Sequence, residues 1–82
     1  MSARRRAWLV SGFDGQGIAW SETRGRARML AARSVHDARN IPIGEALKGL
    51  RVLRAPEHDD LAGHFSDQVI DLEHIAWYRR ET

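Results

Sequence analysis

The stretch GFDGQGIAW, residues 12 to 20, places Gly12, Gly15 and Gly17 within six positions. It therefore forces a choice between a loop that cradles phosphate and a simple chain reversal. A dinucleotide-binding loop runs G-x-G-x-x-G from a strand into a helix, whose N-terminus faces the pyrophosphate. Here the order is G-x-x-G-x-G, and the residues that follow, Ile18, Ala19, Trp20, Ser21 and Glu22, alternate as in a half-buried strand. Upstream, Trp8, Leu9, Val10 and Phe13 also suit a pleated surface. Asp14-Gly15 between the two runs is a hairpin signal, because glycine tolerates the positive φ such turns need. No helix stands ready for a phosphate, so the expectation is a β-hairpin.

Eighty-two residues allow one small domain, spanning 1-82, without room for both a large core and a deep cleft. The chain has no cysteine, which excludes a disulfide framework and thiolate metal sites. The basic start MSARRR is followed only by the short run AWLV, far from a signal peptide or a membrane span. A soluble protein of the cytoplasm, with no membrane partner, is the expectation. The net charge of +2 conceals a division. Residues 1–54 hold eleven Lys/Arg against four Asp/Glu, or +7, and residues 55–82 hold two against seven, or −5. Such asymmetry points to two surfaces with different partners, or to a basic body partly covered by an acidic tail.

Residues 23–40, TRGRARMLAARSVHDARN, read as the main helix. Ala27, Leu30, Ala31, Ser34, Val35 and Ala38 recur at helical spacing on one small face that implies close approach to a sheet. Ser21 or Thr23 suits its cap, and Asn40 before Ile41-Pro42 its stop. IPIGEALKGL offers a short helix with Ile43, Leu47 and Leu50 one to two turns apart, and LRVLRAP a third strand ending at Pro56. EHDDLAGH reads as an acidic loop. Residues 66–80 read as a helix with Ser66 as cap, Asp67 in the first turn, and Val69, Leu72 and Ala76 on one side. The fold class is thus α+β, a small antiparallel sheet of hairpin and third strand packed on one main helix, with a C-terminal helix. One face of a three-stranded sheet is left for the C-terminal segment or for a partner.

No pattern of residues spells catalysis. His58, Asp59, Asp60, His64, Asp67, Asp71 and His74 include metal-binding types but lack ligand spacing, and read as a solvated acidic surface. His36 and Asp37 are adjacent and so point about 100° apart on a helix. The serines lack a nucleophile-elbow motif. A non-enzymatic protein without cofactor or metal is expected. Two sets of residues suit partner binding. The acidic run Glu57, Asp59, Asp60, Asp67, Asp71 and Glu73 contains no Lys or Arg. The basic set is Arg24, Arg28 and Arg39 along one side of the helix, Arg26 and Arg33 in a second row, and Arg51 and Arg54 flanking the third strand. Trp8 and Trp20 would lie near one another across the hairpin, and Trp77-Tyr78-Arg79-Arg80 has the composition of an interface.

Residues 22–59, ETRGRARMLAARSVHDARNIPIGEALKGLRVLRAPEHD, resemble small phage and prophage proteins that combine a hairpin, an Arg/Ala helix and an RVLRAPEHD-like strand and acidic turn. Proteins of this type include anti-CRISPR inhibitors of type I systems. The resemblance implies an inhibitor that binds protein subunits of a host surveillance complex and blocks DNA engagement in the host cytoplasm. A monomer is favoured over a dimer formed through the leftover sheet face. Acidic side chains would then stand where phosphates would be, or the basic face would meet acidic subunits or the guide RNA. Asp59 and Asp60 are expected to face solvent. The alternative is a small nucleic-acid-binding accessory protein using the Arg-rich helix and strands.

Overall fold

The computed structural model describes residues 4–65 and 68–81. Strands β1 (Arg6–Gly12) and β2 (Gly15–Ser21) form the hairpin, with Arg6 opposite Ser21 and Gly12 opposite Gly15. Its two turn residues are Phe13 and Asp14, at φ 53° and 62°, the pair of positive φ values that a type I′ turn requires. The expected Asp14-Gly15 turn is displaced by one residue, because the glycines serve close approach instead. A Cβ on Gly12 (φ 146°) would lie 2.5 Å from the Gly49 carbonyl oxygen, and one on Gly17 would lie 2.7 Å from that of Ile70. Phe13 is left in a backbone region that bulky side chains rarely adopt. Its ring lies over Gly49, where a Cβ would come within 2.5 Å.

Helix α1 (Arg24–Arg39) follows, with the Thr23 hydroxyl accepting from the Arg26 N–H at 3.2 Å, and stops at Asn40 in the left-handed conformation, φ 56°. Helix α2 (Ile43–Gly49) leads to β3 (Arg51–Arg54), which pairs antiparallel with β1. The expected acidic loop is a 3₁₀ helix, Pro56–Leu61, with Pro56 at its first position, where the missing N–H costs nothing. The C-terminal segment also departs from expectation. Val69–Asp71 form a fourth strand, β4, on the free edge of β2, and helix α3 spans only Leu72–Glu81. The expected cap Ser66 and Asp67 lie outside the described residues. The sheet order is β3-β1-β2-β4.

Strand alternation gives each face of the sheet its own core. Trp8, Val10, Ala19 and Val52 meet Ala27, Ala31 and Ala32 of α1 and Ala46 of α2 on one face. Alanines let α1 lie close to the sheet, but its contact stripe is shifted from the expected one. Ala32 is buried, while Ser34 and Ala38 are exposed. These two border a cavity of about 180 Å³ beside Gly12, Gly15 and Gly17, which bring no side chains of their own to fill it.

On the opposite face Ala7, Ile18 and Trp20 pack with Ala55, Leu61 and Ile75, flanked by Phe65, Leu72 and Tyr78. Trp20 stacks on Phe65 at 5.1 Å between centroids. The two hairpin tryptophans therefore do not pair. Trp8 is opposite Ala19 and Trp20 opposite Ala7, which sends their rings to different faces. Each indole N–H is satisfied on its own side, Trp8 by the Ser21 carbonyl at 3.1 Å and Trp20 by the His58 carbonyl at 2.8 Å. On α3 it is Ile75 that is buried, and Ala76 is exposed.

Candidate functional site

The acidic run divides in two. Pro56 folds the chain back along β1, and this brings Asp59 against the end of the hairpin. Its carboxylate accepts from both guanidinium nitrogens of Arg54, at 2.8 and 2.6 Å, and from the Ala7 N–H at 2.7 Å. These bonds, the Arg54 guanidinium first, hold the carboxyl at about 2, and Arg6 adds attraction. The same pairing raises Arg54 above its ordinary value. Asp60 accepts from Arg79 of α3 at 3.1 and 3.0 Å, which lowers its pKa. Asp59 is thus only half-exposed, contrary to the expectation that it faces solvent, whereas Asp60 does face solvent while paired with Arg79. Glu57, Asp71 and Glu73 do face solvent, with no ion pair among the described residues. Asp67 lies outside these residues.

The histidines are dispersed among aromatic and basic neighbours. Arg79 donates to His58 at 3.1 Å, His64 meets the Tyr78 hydroxyl at 3.0 Å, and His74 stands edge-on to Phe65 at 6.0 Å. Among the described residues no three His, Asp or Glu side chains converge as a metal site would require. His36 bonds the Ile41 carbonyl through Nδ1 at 2.8 Å, which ties the end of α1 to the following loop.

The basic set divides as well. The Arg24 and Arg54 guanidiniums lie 5.7 and 5.5 Å from the Trp8 ring centroid and stack on its faces. Arg28 is half-buried, whereas Arg33, Arg39 and Arg51 are exposed with no ion pair among the described residues. Arg39 borders the cavity beside the hairpin. Arg33 belongs to a groove of about 330 Å³ between the start of the chain, the end of β2 and α1, shared with Arg5, Glu22, Arg26, Met29 and Leu30. Glu22 lies 3.9 Å from Arg26, a long contact to one exposed guanidinium.

The Arg26–Arg33 row is legible in the sequence, but the groove is not. Its signal is Met29, three residues after Arg26 and four before Arg33, which is 38 % exposed on the same side of the helix. Arg5 joins only because β1 starts beside the end of β2.

What these elements define is a small α+β domain with a four-stranded antiparallel sheet between two helical layers and a mixed cationic and apolar groove on α1. No protein-family profile matches the chain, and no curated protein and no solved structure was found to match it. Among the described residues no helix is long and apolar enough to cross a membrane.

Proposed function

We propose that this protein is a non-enzymatic binding domain that holds a nucleic-acid backbone on the α1 surface. The observation that carries the reading is the groove in which Arg26 and Arg33 line α1 with Glu22 as the one acidic neighbour among the described residues. Guanidiniums pair with phosphate oxygens in a fork geometry, and the release of condensed counterions drives such binding. The apolar stems of Met29 and Leu30 between the arginines suit the faces of unstacked bases better than a smooth duplex. The acidic part of the chain opposes this less than its formal charge implies, because Asp59 and Asp60 are turned onto Arg54 and Arg79.

The test is binding of short labelled single-stranded DNA, RNA and duplex of one sequence, followed by fluorescence anisotropy across a salt series. Two phosphate contacts, from Arg26 and Arg33, predict a log–log salt slope of about −1.4 to −1.8. Binding that ignores salt, or that persists in Arg26→Ala/Arg33→Ala, would overturn the reading.

A second reading rests on Glu57, Asp71 and Glu73, which remain outward. In it the protein is the type I anti-CRISPR inhibitor that the resemblance implies, acting by contact with a surveillance complex. Retention of an assembled type I complex by the tagged protein, without DNA, supports it. Loss of that retention in Arg26→Ala/Arg33→Ala would assign the contact to the α1 groove and the guide RNA, and loss in Glu57→Lys/Glu73→Lys to the acidic side.

A further inference from the structure

Glu22 stands between two residues whose positions are fixed by hydrogen bonds. Ser21 ends β2 with its carbonyl accepting from the Trp8 indole at 3.1 Å, and its hydroxyl donates to the Thr23 carbonyl at 2.6 Å. The Thr23 hydroxyl in turn caps α1 by accepting from the Arg26 N–H at 3.2 Å. The capping is thus complete without Glu22, whose side chain is left at the wall of the α1 groove.

Its carboxylate has no hydrogen bond from the described residues. The contact with Arg26 is 3.9 Å long, beyond hydrogen-bonding distance, although the side chain is only 34 % exposed. A carboxylate is an acceptor without a donor, so whatever meets it must bring N–H or O–H groups. Around it the groove, of about 330 Å³, is lined by Arg26, Arg33, Met29 and Leu30. That volume is at the small end of sites that enclose a ligand, and suits one base rather than a stacked run.

The donor pattern of the bases selects the occupant. On its pairing edge guanine presents N1–H and an N2 amino hydrogen side by side, two parallel donors that match the two oxygens of one carboxylate. Adenine and cytosine present one amino donor beside a ring-nitrogen acceptor, and uracil presents one N–H between two carbonyls. Each of these sets an acceptor against the carboxylate. In a duplex the same edge is taken by the opposite strand, so the selection applies to an unpaired base.

We infer that Glu22 makes the α1 groove selective for an unpaired guanine. The carboxylate accepts from N1–H and the N2 amino group, Met29 and Leu30 meet the face of the base, and Arg26 and Arg33 hold the adjoining phosphates. This rests on the nucleic-acid reading of the groove and adds to it the identity of one base.

The experiment measures by fluorescence anisotropy, in low salt, the affinity of the full chain for hexauridylate and for four versions whose third base is guanine, hypoxanthine, adenine or cytosine. Guanine is expected to raise affinity about tenfold over the all-uracil strand, and adenine and cytosine to leave it in place. Hypoxanthine keeps N1–H but lacks the amino group, and should fall between guanine and adenine. Glu22→Gln replaces one acceptor with a donor and should erase the guanine preference. The same variant should keep the urea midpoint and the affinity for the all-uracil strand, because the carboxylate makes only the long contact to Arg26. Arg33→Ala should weaken binding of every strand and keep the preference, which separates the phosphate contact from the base contact. Equal binding of all five strands, hypoxanthine binding as tightly as guanine, or a guanine preference that survives Glu22→Gln would overturn this inference while the groove reading stands. Absence of binding to any strand would overturn both.

Discussion

Helix α1 and the 3₁₀ helix both carry runs of like charge, yet they place them oppositely. The 3₁₀ helix is folded onto β1, so Asp59 reaches both the Ala7 N–H and Arg54. By contrast α1 buries only alanines among its fully covered residues, and several of its arginines extend from the far side with no ion pair among the described residues. Formal charge therefore overstates what the acidic third offers a partner and describes the basic part more faithfully. What decides is whether a charged group has a partner within hydrogen-bonding distance once the chain has turned.

The largest expected effect comes from the residue on which the 3₁₀ helix hangs. Trp20 is 2 % exposed and donates to the His58 carbonyl. Trp20→Ala should cost about 3–5 kcal/mol, enough to unfold much of a domain this small at ordinary temperature, as read by urea denaturation and circular dichroism. A cooperative transition close to that of the parent would mean that the acidic segment is not anchored through the second core.

Next comes Asp59→Ala, which leaves the Ala7 N–H without its acceptor and Arg54 with its bond to the Ala7 carbonyl but without its carboxylate. Charged hydrogen bonds would contribute more in a dry site, but 37 % of this side chain is in solvent, so a loss of about 1–2 kcal/mol is expected. Its pH dependence follows from a folded-state value of about 2 against an ordinary 3.8. The stabilisation is fully present above pH 3.8 and fades as pH falls toward 2, so parent and variant should converge in acid. Parallel stability curves down to that pH would contradict the pairing. Asp60→Ala should have a smaller effect, because its bond to Arg79 is exposed.

The sequence made the hairpin, the main helix, the short helix and the third strand legible, because each carries its own punctuation: glycines, Thr23, Asn40, Pro42 and Pro56. Strand β4 was hidden for a physical reason. Three residues cannot display a period, and Val69 and Ile70 are apolar because they serve different cores on opposite faces. The turn was misplaced by one residue because Gly12 and Gly17 answer to Gly49 and Ile70, distant in sequence. At the candidate sites, residue types were legible but pairing was not. Nothing local marks Arg54 as bound to Asp59, or Arg24 as resting on Trp8.

The smallest expected effect on stability is the sharpest test of the contrast between the two helices. Arg33 is exposed on α1 with no ion pair among the described residues, so Arg33→Ala should leave the urea midpoint of the parent unchanged. If the α1 groove holds a phosphate backbone, the same substitution should weaken binding across sequences and make the salt slope shallower by about 1. Arg54→Ala predicts the reverse pattern, since that guanidinium serves Asp59 and Trp8 within the molecule. It should lower the urea midpoint and leave the salt slope in place. If both variants lose stability and neither changes the slope, the arginines of α1 are structural like those of the acidic region, and the difference between the two helices lies only in how visibly their charges are paired.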